Sequence, residues 1–218
     1  MTEILTYHNI SNNRQDPFST SFSFFKSEMQ WLFDKGYRGI SLREFYINIK
    51  QKNVFILTFD DGYKDFFDCA MPLLNSLNFS GTIFLVSELI EDISYWRRKD
   101  LRSELLDWGE INEIVKAGYE IGSHGLCHSN FSDLVRKALK REIIGSKKLI
   151  EEKIEIPVIS FSYPWNICNK QILKIGKKAG YKYATRNDIG CKNNFKTDCV
   201  HLCRRSMHKK NSGKKFIR

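Results

Sequence analysis

The chain has 218 residues, 42% hydrophobic and 13% aromatic, which suits one sizeable core and most simply a single domain over 1–218. Its net charge of +10 is scattered, apart from a basic tail at 207–218. No helix-turn-helix or strand-borne aromatic pattern accompanies the charge, which argues against nucleic acid as a partner; the charge reads first as solubility, with peripheral contact with an anionic membrane as the option the tail leaves open.

The amino terminus, Met1-Thr-Glu-Ile-Leu-Thr-Tyr7, holds no signal-peptide apolar region. No apolar run approaches the ~20 residues of a membrane span. Cys69, Cys127, Cys168, Cys191, Cys199 and Cys203 show no CxxC spacing. They read as free thiols in a reducing compartment, and the chain as cytoplasmic.

In chain order, Ile4-Leu-Thr-Tyr7 is a short β-prone run that ends at His8. Asn9 to Ser21 is polar, carries Pro17 and reads as a loop. Helix spacing over Phe24–Lys35 stops at Gly36. Ser41 caps a second helix to about Lys50, with Glu44 completing a capping box.

Val54-Phe-Ile-Leu57 is an unbroken apolar run, as in a strand buried on both faces, and it leads through Thr58-Phe59 to Asp60-Asp61-Gly62. Tyr63–Leu77 is a helix that Pro72 kinks or breaks in two. Thr82–Val86 is a strand, and Glu88–Leu106 a long loop with helical pieces. A helix over Asp107–Lys116 precedes a strand over Tyr119–Ser123, which runs into His124-Gly-Leu-Cys-His128. Ser132 opens a long helix to about Lys153. Val158–Tyr163 is a strand, Cys168–Ala179 a helix, and Lys182–Thr185 and Val200–Arg204 the last strands. This alternation predicts an α/β fold: a deformed (β/α) barrel of about seven parallel strands.

The polar residues of interest fall where strands end: His8, Asp60, Asp61, His124, His128 and Tyr163. In parallel α/β folds such ends converge on one face. Adjacent buried carboxylates need a neutralising partner, and a metal ion is the obvious one. Two histidines four apart can share a metal, and an aspartate can complete a three-ligand site with an open position. The second aspartate is then free to take a proton from a metal-bound water, whose pKa falls to about 7.

Thr58-Phe-Asp-Asp-Gly62 and Ser123-His-Gly-Leu-Cys-His128 resemble the first two motifs of the polysaccharide deacetylases, the nodulation-type domains of carbohydrate esterase family 4. Phe161-Ser-Tyr-Pro-Trp-Asn166 resembles the third. The resemblance implies a distorted barrel that hydrolyses N-acetyl groups on amino sugars. It makes Asp60 the general base and Asp61, His124 and His128 the ligands of a divalent metal, most often Zn²⁺, with Co²⁺, Ni²⁺ or Mn²⁺ as substitutes. It has the backbone N–H of Tyr163 hold an oxyanion, and Tyr163, Pro164 and Trp165 wall the sugar groove.

Two departures stand out. The family's carboxyl-terminal Leu-x-His is absent from Val200-His-Leu-Cys-Arg-Arg-Ser-Met207, although His201 and His208 lie close. Tyr7-His8 matches the amino-terminal element of the poly-N-acetylglucosamine deacetylase subgroup, so His8 is the expected acid. The arginine before Tyr-Pro is also missing, which leaves no identified charge partner for Asp60. Trp96, Arg97, Arg98 and Trp108 read as packing and a solvated charge run rather than as a groove.

The expected function is metal-dependent de-N-acetylation of an N-acetylated sugar or glycan, lipid- or nucleotide-linked if the chain is cytoplasmic. The rivals are a carbohydrate O-acetyl esterase and a non-catalytic glycan-binding pseudoenzyme.

Overall fold

The computed structural model describes residues 2–11, 16–47, 51–187 and 202–207. Its strands are β1 (Ile4–Tyr7), β2 (Arg38–Ile40), β3 (Val54–Phe59), β4 (Thr82–Leu85), β5 (Glu120–Ser123), β6 (Ser160–Ser162), β7 (Tyr183–Asn187) and β8 (Leu202–Ser206). All the pairings are parallel. β1 pairs with both β3 and β8, so the sheet closes into a barrel of seven strands, as expected. β2 is an addition to that ring. It holds the first half of one edge of β3, from Arg38↔Val54 to Ile40↔Ile56, while β4 holds the second half. A strand of three residues is too short to show alternation, so it leaves no signal in the sequence.

Alternation along each strand sends one set of side chains into the barrel and the other beneath the helices. Ile4, Ile56, Phe84 and Leu202 pack together in one apolar cluster with Ile40 and Leu42. Polar residues share this inner set. The Thr6 and Thr58 hydroxyls meet at 2.8 Å, and Glu120 accepts from Thr82 at 2.8 Å and Ser160 at 2.6 Å. Leu5, Leu57, Ile83, Ile121 and Phe161 belong to a second, larger cluster. There they meet Phe25 and Met29 of α1 (Phe22–Asp34), with α2 (Leu42–Ile47) and α3 (Met71–Ser76) following in the chain. They also meet Ile111 and Ile114 of α4 (Trp108–Lys116). Burial on both faces is the reason the β3 sequence is a continuous apolar run. Gly122 is required where it stands: a Cβ there would lie 2.5 Å from the Phe84 ring that covers it.

Pro72 disturbs the ladder of its helix without ending it: helical backbone runs from a π turn over Phe66–Ala70, where the Met71 N–H donates to the Phe66 carbonyl, straight into α3, and the wider turn accommodates the proline's missing N–H. The long helix expected from Ser132 starts at Arg136 and runs on to Ile154, with a π turn inside it: α5 (Arg136–Lys140) passes through the turn over Arg141–Gly145 into α6 (Ser146–Ile154). Ser132 sits instead in a 3₁₀ turn that Asn130 caps. The last helix, α7, covers Lys170–Ala179 and ends on left-handed Gly180. Cys69, Cys127 and Cys168 lie outside any disulfide, but Cys203 is disulfide-bonded, which corrects the expectation of free thiols throughout. Wide spacing and a sufficient core remove the need for a disulfide framework without forbidding one bridge. His201, His208 and the basic tail from Lys209 lie outside the described residues.

Candidate metal centre and active site

Three strand ends supply the central groups. His8 follows β1, Asp60 and Asp61 follow β3, and His124 closes β5 with His128 four residues on. Asp61 Oδ1 lies 3.4 Å from Nε2 of His124 and 3.4 Å from Nε2 of His128. All three residues are buried. Among the described residues they form the one His/Cys/Asp/Glu cluster whose ligand atoms could hold a metal ion. His124 Nδ1 is 2.8 Å from the Ser162 carbonyl, which can only accept, so Nδ1 carries the proton and Nε2 faces Asp61. Burial pushes the Asp61 carboxyl up, but the two facing histidines outweigh it and hold the group well below the usual carboxylate value.

The backbone here is unusual. Asp61 (φ 77°), His128 (φ 56°) and Trp165 (φ 53°) are all left-handed. Aspartate and histidine tolerate this conformation better than tryptophan does. Such strain clusters where a site must aim side chains in fixed directions.

Asp60 has a partner the sequence reading did not find. Arg204, on β8, reaches it with two hydrogen bonds, Nη1 to Oδ1 at 2.7 Å and Nη2 to Oδ2 at 2.6 Å. The two side chains are 1% and 2% exposed, so this is a fully buried, bidentate pair. Arg204 also donates to the Ser162 hydroxyl at 2.9 Å and Thr58 Oγ1 at 3.3 Å. Burial alone would raise Asp60; the Arg204 guanidinium, then His124 and His8, outweigh it and hold the carboxyl below its ordinary value.

The Tyr7-His8 element divides its work. Tyr7 is fully buried and donates its hydroxyl hydrogen bond to Glu28 of α1. His8 turns the other way, its Nε2 3.9 Å from Asp60 Oδ2. Burial lowers the His8 pKa; Asp61 and Asp60 oppose that effect without cancelling it. His8 therefore rests as the neutral imidazole at pH 7.

Two tryptophans stand against His128. Trp96 stacks on its ring at 4.6 Å, and Trp165 meets it edge-on at 5.3 Å while donating from Nε1 to the His128 carbonyl at 3.0 Å. Trp96 thus belongs to the site, against the packing reading. Trp108 and Arg98 keep that reading: Trp108 packs at the core's edge and Arg98 pairs with exposed Asp100. Arg97 bonds Asp16 and lies over Phe18, whose ring is 5.3 Å from His8, so two long loops are tied together beside the site.

The third-motif expectations need correction. The Tyr163 backbone N–H donates to the Thr185 carbonyl at 3.1 Å and is therefore engaged in the sheet rather than open to an oxyanion. Tyr163 and Pro164 are buried, so of the three only Trp165, 53% exposed, faces an approaching ligand.

A family model for polysaccharide deacetylases matches residues 48–184, more than half of the chain. The chain belongs to the polysaccharide deacetylase family. Among similar proteins, YxkH of Bacillus subtilis is 28% identical over 192 residues, covering 86% of this chain and 64% of that one. The poly-beta-1,6-N-acetyl-D-glucosamine N-deacetylase of Staphylococcus epidermidis is 26% identical over 177 residues, covering 76% and 60%. The chain thus spans less than two thirds of the length of these relatives. The fold is shared with the Streptococcus pyogenes deacetylase PplD, solved in complex with acetate, at TM-score 0.81 and 22% identity over 95% of this chain and 92% of that one.

For a polysaccharide deacetylase-family site, the donor set fits a divalent cation. Asp61 Oδ1 is buried and has no hydrogen-bond partner, although two imidazole nitrogens face it. An anionic oxygen left in that state is costly unless a cation shares it. One carboxylate and two imidazoles suit zinc with an open position.

Proposed function

We propose that the chain is a metal-dependent de-N-acetylase acting on an N-acetylated amino sugar or glycan, with Asp61, His124 and His128 as the metal ligands. The observation that carries this reading is the unpartnered, buried Asp61 Oδ1 set 3.4 Å from two imidazole nitrogens, beside a second aspartate clamped by arginine. When bound, a divalent cation there supplies a Lewis acid for the acyl oxygen and acidifies a water. Family membership and the likeness to a poly-N-acetylglucosamine deacetylase support the amide of an N-acetylated sugar as the bond cleaved. Trp165 and Trp96 offer aromatic faces against which a sugar ring packs.

Asp60 takes a proton from the attacking water as the new C–O bond forms. The C–N bond then breaks, and the nitrogen must gain a proton to leave as an amine. His8 supplies it. His8 rests neutral, so its proton arrives within the cycle from Asp60, whose Oδ2 lies 3.9 Å from Nε2 and must close to hydrogen-bond distance for the transfer. Arg204 keeps Asp60 a weak base, and a weak base readily passes its proton on. The products are acetate and the free amino sugar.

Acetate release from N-acetylglucosamine oligomers, measured before chelation, after chelation and after zinc is returned, tests the reading. Activity should disappear and reappear with the metal. Full activity in protein shown to be free of metal would overturn it.

His8→Ala should lower amide hydrolysis by about 10²–10⁴-fold, the scale of general acid catalysis, and a matched O-acetyl ester much less. An alcohol leaves with less help than an amine. Equal losses on the two substrates would remove His8 from the acid role.

A further inference from the structure

The two histidines are separated by an irregular loop, Gly125-Leu-Cys127, that passes through left-handed Gly125 (φ 85°) before left-handed His128 (φ 56°). Such a loop cannot hold its shape by a regular ladder, so its polar groups must be held from outside. On one side, the backbone N–H groups of Ser87 and Glu88 donate to the Gly125 and Leu126 carbonyls at 3.1 and 2.9 Å. On the other side stands one carboxylate. Glu142 Oε2 accepts from the Leu126 N–H at 2.7 Å and the Cys127 N–H at 3.3 Å, and Oε1 accepts from the Ser129 hydroxyl at 2.6 Å. Glu142 is 7% exposed and lies in the π turn over Arg141–Gly145. The adjacent Arg141 reaches Glu88 at 2.7 Å, so this one turn grips both sides of the loop. Single π turns inside helices recur at functional sites.

We infer that Glu142 is a positioning residue for the metal centre. It acts through the loop, fixing the path from His124 to His128 so that both imidazoles reach Asp61 together. His124 is already set by β5 and by the Ser162 carbonyl. His128 arrives only by way of the loop, so the separation of the two ligands depends on what clamps the residues between them. The inference rests on the metal-site reading proposed above.

The test is zinc affinity, measured on folded, chelator-stripped protein by competition with a chromophoric chelator. Glu142→Ala should weaken zinc binding by about 10–100-fold, the effect of losing a group that orients a ligand. Glu142→Gln should bind close to wild type, because the amide keeps the shape, presents an oxygen to the two N–H groups and donates to the Ser129 hydroxyl. A purely structural carboxylate would lower the melting temperature in Glu142→Ala and leave zinc affinity, measured well below melting, unchanged; that result overturns the inference.

Glu142→Asp carries the same test if Glu142→Ala does not fold. It keeps the charge, but a side chain one carbon shorter cannot hold the Leu126 and Cys127 N–H groups and the Ser129 hydroxyl together. Zinc affinity equal to wild type in that variant also overturns the inference. If wild type itself takes up no zinc, the metal-site reading fails, and the inference with it.

Discussion

Asp61→Asn will lose bound metal and acetate release together. The substitution is nearly isosteric, and asparagine tolerates the left-handed backbone at this position (φ 77°), so the fold has no reason to fail. What changes is the charge. In wild type, Asp61 is the one anionic oxygen facing both imidazoles, at 3.4 Å from each Nε2. A neutral amide oxygen binds a divalent cation far less well than a carboxylate does, and the remaining two histidines leave a site short of a ligand.

Without the cation, the charge that builds on the acyl oxygen loses its Lewis acid, and the Tyr163 N–H, bonded to Thr185, is not free to replace it. The rate should fall by at least about 10³-fold, the scale of a lost oxyanion stabiliser. Metal content by mass spectrometry, acetate release and a thermal melt on one preparation decide it. A variant that melts like wild type, holds about one metal per chain and keeps its rate would remove Asp61 from the ligand set.

Much of this architecture is legible in the sequence because it follows local rules. The closed parallel barrel comes from strands that alternate with helices, and the convergence of His8, Asp60, Asp61, His124 and His128 follows from their places at strand ends. What was not legible depends on register and on partners distant in sequence. Arg204 and Arg205 are neighbours on the last strand, where Leu202 and Cys203 before them are both apolar. Alternation therefore cannot say which arginine turns inward, and only pairing of β8 with β1 and β7 decides it. Trp96 sits in a charged loop with no periodicity, and it reaches His128 because isolated bridges such as Tyr63↔Leu105 hold that loop in place. The engagement of the Tyr163 N–H is not legible either, because a motif does not state where its backbone hydrogen bonds go. Glu142 falls in a helix whose π turn leaves no sequence signature, yet its carboxylate is the group that meets the metal loop.

Arg204→Met should destabilise the protein by about 3–5 kcal/mol at neutral pH, because it leaves the Asp60 carboxylate buried without its bidentate partner. The pH dependence distinguishes this cause from a simple packing defect. In wild type the Asp60 pKa is depressed. Its contribution to stability is therefore present above the unfolded carboxylate value, near 3.9, and is lost as pH falls through the lower folded value. Without Arg204 the burial effect, the largest single influence, is opposed by the histidines and by the Ser162 hydroxyl 3.3 Å from Oδ2, and the folded pKa moves up. Acidification then neutralises Asp60 in the variant before it does so in wild type, so the stability gap narrows as pH falls. A packing defect would leave a gap that does not change with pH.

Catalysis should follow the same shift: the acid limb of the pH–rate profile moves to higher pH in Arg204→Met, since Asp60 must be ionised to act as base. Asp60→Asn combined with Arg204→Met supplies the control. With no charge left to strand, the double variant should regain much of the lost stability while remaining inactive. Urea unfolding at several pH values, alongside the rate profile, reads all three effects. A gap constant in pH, with an unmoved acid limb, would show that Arg204 packs against Asp60 without setting its charge.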